Sequence, residues 1–387
     1  MDKRLVYMDH GATTPVRSEV LQAMLPFLKD KFGNPSSLHA QGREVRLLVE
    51  EAREKTAKAI NAEPGEIYFT AGGTESNNLA LRGTVKKLGK TGHIITTGIE
   101  HHAVLDVCRD LEKEGQSITY LPVDQHGMID LDQLESAITD DTFMISIMAA
   151  NNEMGAIQPV REIGLLAEKY GILFHTDAVQ VVGQLPLDLQ ELKIDFLSLS
   201  AHKFNGPKGV GALYIRKTRK IAPLYNGGGQ ERKIRPGTEN VPGIIGLAEA
   251  LSLAVAEVEE KKNKLTLLRD RFITGLLSIE EVKLNGHPQK RLPGNVNVSF
   301  KHIEGEAVLL SLDLEGVAAS SGSACSSGSL EPSHVLTAMG LEHTIAHGSI
   351  RFTLGYGNSE EDIDYVLAIL PPIVDRLRRM SPTYKKH

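Results

Sequence analysis

The sequence predicts an α/β protein: a large domain built on a mostly parallel seven-stranded sheet, with a smaller α+β domain appended. Three observations carry this expectation. Short apolar runs of strand length recur through residues 66–215, most of them alternating with helical periodicity. Runs apolar at every position imply strands buried on both faces, as in a parallel sheet covered by helices. Beyond residue 295 the order becomes strand–helix–strand with few parallel units. The composition, 41% hydrophobic and 24% charged over 387 residues, is that of a globular chain long enough for one large and one smaller core.

The elements follow in order. Residues 66–70 read as a short buried strand, then come glycines and a helix over 75–87. Residues 93–97 form a second strand with a helix over 102–114 behind it. Strands continue at 117–121, 142–148, 171–175 and 195–199, with 160–170 helical between two of them. Residues 209–215 follow without a helix, which predicts an antiparallel hairpin partner. Leucines and valines at helical spacing run over 243–277 as one long connector that turns charged at 257–262. Strands at 295–300, 317–320 and 349–354 are separated by helices from 305 and 332, and a last helix spans 360–378.

Composition also limits function. A formal net charge of -6 argues against a nucleic-acid or anionic-membrane surface. The amino-terminal stretch lacks the apolar region of a signal peptide, and no apolar run reaches membrane-spanning length. Two cysteines, Cys108 and Cys325, are too few for a disulfide framework and suit a reducing, cytoplasmic compartment.

The chemistry-bearing residues cluster at strand ends. Lys203, in Ser200-Ala201-His202-Lys203, directly follows a strand and precedes a glycine-proline turn. That placement makes an amine nucleophile able to form a Schiff base with an aldehyde cofactor. Gly72-Gly73-Thr74 lies between a strand and a helix, where backbone N–H groups and the helix terminus receive an anion; a capped helix is the plainer alternative. Asp177, ending another strand, suits a pyridinium nitrogen or a helix N-cap, and Gln180 stands near it. His101 and His102 open a helix beside the same crevice, and Asn151-Asn152-Glu153 offers loop polar groups. Arg351, inside an apolar strand, suits a substrate carboxylate or an internal salt bridge. Cys108 falls on an apolar helix face and reads as core. Cys325 lies in a run of serines, glycines and alanine, where a thiol is reachable.

Taken in order, these stretches, with Arg235-Pro236-Gly237-Thr238, Ser321-Gly322-Ser323-Ala324-Cys325 and Met8-Asp9-His10-Gly11-Ala12-Thr13-Thr14-Pro15, resemble the cysteine desulfurases of the NifS/IscS type. These are pyridoxal-phosphate (PLP) enzymes of the class V aminotransferase family, with the PLP-dependent transferase fold type I. The resemblance covers essentially the whole chain. It implies a large PLP-binding domain over 15–257 and a small domain over 1–14 and 258–387 that carries the cysteine loop.

The same resemblance implies roles. Lys203 bonds the cofactor aldehyde and moves protons at the substrate carbon. Asp177 pairs with the ring nitrogen, Gln180 meets the ring hydroxyl and His101 stacks on the ring. Gly73, Thr74, Ser200 and His202 hold the phosphate, and Thr238 reaches the phosphate of a neighbouring subunit, which implies a homodimer with shared active sites. Asn34, Asn152 and Arg351 bind the substrate carboxylate, with Asn152 also beside the cofactor. Cys325 takes the sulfur of L-cysteine as a persulfide, releases alanine and passes the sulfur to an iron–sulfur scaffold or another acceptor. No resident metal is implied; Cys325 would contact a nascent iron–sulfur cluster only transiently. Neither a membrane nor direct nucleic-acid binding is expected. His10-Gly11 stands where many members have two asparagines, a position expected at the site entrance. A class V aminotransferase would share Lys203 and Asp177 without needing Cys325. Selenocysteine lyase activity would use nearly the same residues, and a non-catalytic docking platform would need none of them.

Overall fold

The structure, a computed structural model, describes residues 4–321, 332–382 and 384; Cys325 lies outside them. Strand β1 (Val6–Tyr7) and helices α1 (Ser18–Lys29) and α2 (Ala40–Ala59) come first. Then follow β2 (Ile67–Thr70), α3 (Gly73–Leu88), β3 (His93–Thr97), α4 (His102–Lys113), β4 (Ser117–Leu121) and α5 (Leu131–Ser136). Next are β5 (Thr142–Ser146), α6 (Val160–Tyr170), β6 (Leu173–Asp177), β7 (Phe196–Ser200) and β8 (Gly211–Ile215). Helices α7 (Val241–Ala256) and α8 (Val258–Leu277) lead to β9 (Val282–Leu284), β10 (Asn295–Phe300), α9 (Gly305–Leu314) and β11 (Val317–Ala318). The chain closes with α10 (His334–Ala338), α11 (His343–His347), β12 (Ser349–Thr353) and α12 (Glu360–Met380).

The expected seven-stranded sheet is present, in the order β2-β8-β7-β6-β5-β3-β4. All adjacent pairs from β7 to β4 are parallel, and β8 runs antiparallel to both β7 and β2, as its missing helix requires. Successive strand residues feed opposite faces. Ile95, Ile145 and Leu197 join the core under α2, α6 and α7, whereas Ile94, Met144 and Phe196 join the core under α3 and α4. That two-sided burial explains why apolar residues occupy adjacent positions in these strands, with only small polar residues such as Thr and Ser between them. Helix α4 buries Val104, Val107, Cys108 and Leu111, so Cys108 is a core residue, its thiol pushed up to about 12 by burial.

A separate core forms between the antiparallel sheet β12-β10-β9 and helices α8, α9 and α12. Phe272 of α8 meets Phe352 of β12 edge-on, ring centres 5.0 Å apart. Val6 and Met8 belong to this core, because β1 pairs with β11.

Two features differ from expectation. The single connector over 243–277 is two helices bent by 69° at Glu257. Helix α7 buries its apolar residues in the first core and α8 in the second, so the chain turns between them. Helices α1 and α2, absent from the sequence reading, pack on α7. Among the described residues no single helix is long and apolar enough to cross a membrane.

One buried ion pair sets a loop at the sheet's edge. Arg53 of α2 bonds both carboxylate oxygens of Glu231 at 2.9 and 2.7 Å, and Phe69 N–H donates to the same carboxylate at 2.8 Å. Glu231, Arg232 and Lys233 hold left-handed φ of 43°, 54° and 67°, a backbone that costs roughly 1–2 kcal/mol per residue. Glu231→Ala should therefore leave the buried guanidinium with only the more exposed Glu50 and the Ile67 carbonyl, and release this turn. Denaturant unfolding should show a loss of about 3–5 kcal/mol, and a loss below 1 kcal/mol would mean that the turn is held by something else.

Candidate active site

The sheet's carboxyl edge gathers most of the residues expected to act together. Lys203 ends a tight turn, Ala201–Lys203, directly after β7. Its Nζ donates to the carbonyls of Gly11 at 2.5 Å and Ala12 at 2.8 Å. Gln180 Nε2 reaches the same Gly11 carbonyl at 3.1 Å. Gly11 N–H is held in turn by Thr353 Oγ1 at 2.6 Å. Gly11 therefore lies at the centre of the site and not at its entrance. His10 turns away, buried against the Tyr7 ring at 4.9 Å, and burial lowers it to about 4.

Asp177, the last residue of β6, accepts Val179 N–H at 3.0 Å and Asn77 Nδ2 at 2.7 Å. It caps a turn and not a helix, so its carboxylate is aimed by two donors. Asn77 is buried on α3 one turn after Gly73 and was not singled out from sequence. A polar residue on that helix's inner face is the signal that could have found it. His101 is the N-cap of α4, its Nδ1 accepting Ala103 N–H at 3.0 Å. Burial lowers its basicity, and the charges of Asp177 and Lys203 act on it, which sets it beside both.

The glycine turn has the geometry of an anion cradle. Gly72 has φ 154° and ψ -173°, a region essentially restricted to glycine. A Cβ on Gly73 would lie 2.7 Å from a Val179 methyl. Ser200 Oγ lies 3.6 Å from the position of a Cβ on Gly72, so its hydroxyl faces this turn at the start of the sixteen-residue α3. Thr74 is exposed in the first turn of that helix. His202 shares a hydrogen bond with Thr13 Oγ1 at 3.2 Å, and burial lowers it to about 4. An amine, an aimed carboxylate, a side-chain amide and an anion cradle fit an aldehyde-bearing pyridine phosphate.

Arg351 of β12 is 2% exposed and spans the two cores. Nη2 pairs with Asp9 at 3.0 Å and Nη1 donates to the Asn152 carbonyl at 3.0 Å, while Nε has no protein acceptor among the described residues. The internal salt bridge is therefore real, and the two contacts engage two of the five guanidinium N–H donors, leaving Nε–H and one N–H on each Nη without a protein partner among the described residues. Asn151 is structural: it takes the N–H groups of Glu153 and Met154 and donates to Ile99 O at 2.8 Å. Two expected residues stand apart. Asn34 is exposed before α2 and accepts Ser36 N–H at 2.8 Å. Thr238 is exposed on the loop beyond Glu231.

The class-V aminotransferase family model matches residues 6–366. The cysteine desulfurase IscS of Methanosarcina thermophila is 57% identical over 386 residues, covering 100% of this chain and 96% of that relative. That of Dictyoglomus turgidum is 58% identical, covering 99% and 98%. The chain belongs to the NifS/IscS-type cysteine desulfurases of the class-V aminotransferase family. A solved NifS-like protein superposes with a TM-score of 0.91 at 42% identity, covering 97% of this chain and 100% of that one. The enzyme is thus a PLP-dependent cysteine desulfurase.

Glu100, also unexpected, underlies His101. Its buried carboxylate accepts Met148 N–H at 2.9 and 3.1 Å and the Thr97 hydroxyl at 2.7 Å. Burial, the largest influence, pushes it up from 4.5 to about 8. Because the folded acid binds its proton more tightly, its stability contribution is complete below pH about 4.5 and lost as pH rises through about 8. Glu100→Gln, which mimics the protonated acid, should gain melting temperature relative to wild type as pH rises from 5 to 9. A difference that stays constant with pH would refute this assignment.

Proposed function

We propose that the site performs desulfuration with the division of labour set out here. Its support is the convergence of Lys203, Gln180 and Arg351 on residues 9–12: Arg351 holds Asp9, Lys203 holds the carbonyls of Gly11 and Ala12, and Gln180 reaches the Gly11 carbonyl. Bound PLP supplies an aldehyde that bonds the substrate amine and a ring that accepts the electron pair left when the Cα–H bond breaks. Asp177 would pair with the ring nitrogen, Gln180 with the ring hydroxyl, and His101 would stack on the ring. Gly73, Thr74, Ser200 and His202 would hold the phosphate. Arg351, with Asn152 beside it and Asn34 contributed from before α2, orients the carboxylate of L-cysteine so that Lys203 can move the Cα proton.

Cys325 thiolate then attacks the substrate sulfur. The new S–S bond forms as the Cβ–S bond breaks, its electron pair stays on carbon, and a proton completes alanine. The enzyme is left with a persulfide, and no external oxidant or reductant is used. An acceptor protein takes this sulfur, for iron–sulfur assembly or thiolation, in the cytoplasm, whose reducing conditions suit a working thiol.

A homodimer with shared sites completes this reading. Leu21, Leu25, Leu28 and Phe32 form an exposed apolar stripe at helical spacing along and beyond α1. A second copy would cover it and bring Thr238 to the neighbouring phosphate. The division between a large domain over 15–257 and a small domain over 1–14 and 258–387 rests on the two cores and the bend at Glu257.

Cys325→Ala should keep the visible absorbance of the cofactor while losing alanine and persulfide production from L-cysteine by at least about a hundredfold, as for loss of a covalent nucleophile. Full turnover in that variant would sink the mechanism, and a requirement for a 2-oxo acid would indicate transamination instead. Lys203→Ala should lose the absorbance itself. Mixing Lys203→Ala with Thr238→Ala chains should restore cofactor retention at one site in two if active sites are shared, and restore none if each chain is self-sufficient.

A further inference from the structure

The turn after β5 makes three ties to other elements. The Asn152 carbonyl takes Arg351 Nη1 at 3.0 Å. The Glu153 carbonyl takes the amides of Asn295 and Asn297 on β10 at 3.0 and 3.2 Å. The Glu153 carboxylate, itself buried, accepts the hydroxyl of Ser333. Ser333 is the N-cap of α10 and receives Leu336 N–H at 3.2 Å. Ser320 is tied to the same corner from the other side, exchanging backbone hydrogen bonds with Arg351 at 2.7 and 3.1 Å. The described chain on both sides of the Cys325 segment is thus fastened beside the guanidinium that would hold the substrate carboxylate.

An amide at position 153 would satisfy the Ser333 hydroxyl as well as an acid does, so the charge calls for an explanation. Arg351 faces Glu153 from β12 and already pairs with Asp9 on its other side. Arg291 is the second cation against this turn, its Nη2 on the Met154 carbonyl at 2.9 Å and Asn295 Oδ1 at 3.3 Å. The remaining neighbours, Asn295, Asn297 and Ser333, are neutral. Substrate brings a third carboxylate to the Arg351 guanidinium. Three carboxylates gathered at one guanidinium repel one another, and the buried Glu153 has the least water to offset its charge, whereas Asp9 is half-buried. Glu153 is the one whose hydrogen bond survives protonation, since one oxygen can carry the proton while the other accepts from Ser333. Burial already pushes it up to about 7, against the opposing pull of Ser333 and Arg351.

We propose that Glu153 is a positioning residue of the desulfurase, one that takes up a proton from solution when the substrate carboxylate reaches Arg351 and keeps Ser333 fastened in both states. This rests on Arg351 as the carboxylate site proposed above. The sign follows directly. Ionised Glu153 weakens the positive field that the substrate carboxylate meets at Arg351, so affinity falls as pH rises through about 7.

L-alanine carries the carboxylate without a titrating thiol, and its binding to the holoenzyme can be followed through the cofactor absorbance. Other titrations are common to wild type and Glu153→Gln and cancel in the ratio of their dissociation constants. That ratio should rise about tenfold between pH 6 and pH 8. Ser333→Ala, which removes the hydroxyl that steadies the ionised carboxylate, should move the rise to higher pH and provides the second reading should the Gln variant not fold. A ratio independent of pH, or an unmoved midpoint in Ser333→Ala, overturns the proposal. If Arg351→Lys weakens alanine binding while the ratio stays flat, the role of Glu153 fails alone. If Arg351→Lys leaves alanine affinity unchanged, the carboxylate site itself is wrong and this proposal falls with it.

Discussion

The site depends on satisfying one buried and one half-buried basic side chain with a single short stretch of chain. Residues 9–14 cross from the second core to the carboxyl edge of the large sheet, and both functional cations draw their partners from them. Arg351 pairs with Asp9, while Lys203 donates to the Gly11 and Ala12 carbonyls. Backbone bonds from His10 to Thr353 and from Thr14 to His202 fix the stretch at both ends. At the buried Arg351 an unpaired cation would cost several kcal/mol, so this end of the crossing is enforced by electrostatics as much as by packing, while Lys203 is half-buried. The placement of the Lys203 amine relative to the Arg351 guanidinium is therefore fixed through this crossing, which holds one at each end.

Burial then decides which charges the site keeps. His175 and His202 are lowered to about 3 and about 4, so near neutral pH they are uncharged hydrogen-bonding groups. Glu100 and Glu153 are pushed the other way, to about 8 and about 7. The same low-dielectric surroundings strengthen whatever charges remain paired. A chemistry that develops negative charge beside the cofactor ring benefits from such a setting, because few stray anions compete with it.

Much of this was legible in the sequence, for physical reasons that vary by residue. Strands buried on both faces carry apolar residues at adjacent positions, so the large sheet and its one antiparallel member were readable. Lys203, Asp177 and Arg351 were readable because a charged residue at the end of, or within, an apolar strand needs a partner or a ligand. Helix α2 escaped because its inner face is built from Ala52, Thr56, Ala57 and the buried Arg53 as well as Val45 and Val49, which dilutes helical periodicity. The bend at Glu257 escaped because neither Gly nor Pro marks it; only the assignment of its flanks to different cores produces it. Asp9, Asn77, Glu100 and Glu153 act through partners 342, 100, 48 and 180 residues away, and spacing carries no record of such pairs.

The family resemblance and the local geometry answer different questions about the same residues. The lysine, the aimed carboxylate and the anion cradle would serve many pyridoxal reactions, and nothing in them selects sulfur. Selection requires that a thiol reach a bound amino acid whose carboxylate is already fixed. What the described residues show is a common corner at Arg351. Its guanidinium holds Asp9 and the Asn152 carbonyl, its backbone holds Ser320, and the adjoining Glu153 holds Ser333. Residues from four distant parts of the sequence are thus tied at one place, and a change that loosens Arg351 must be felt at residues 9, 152 and 320 together.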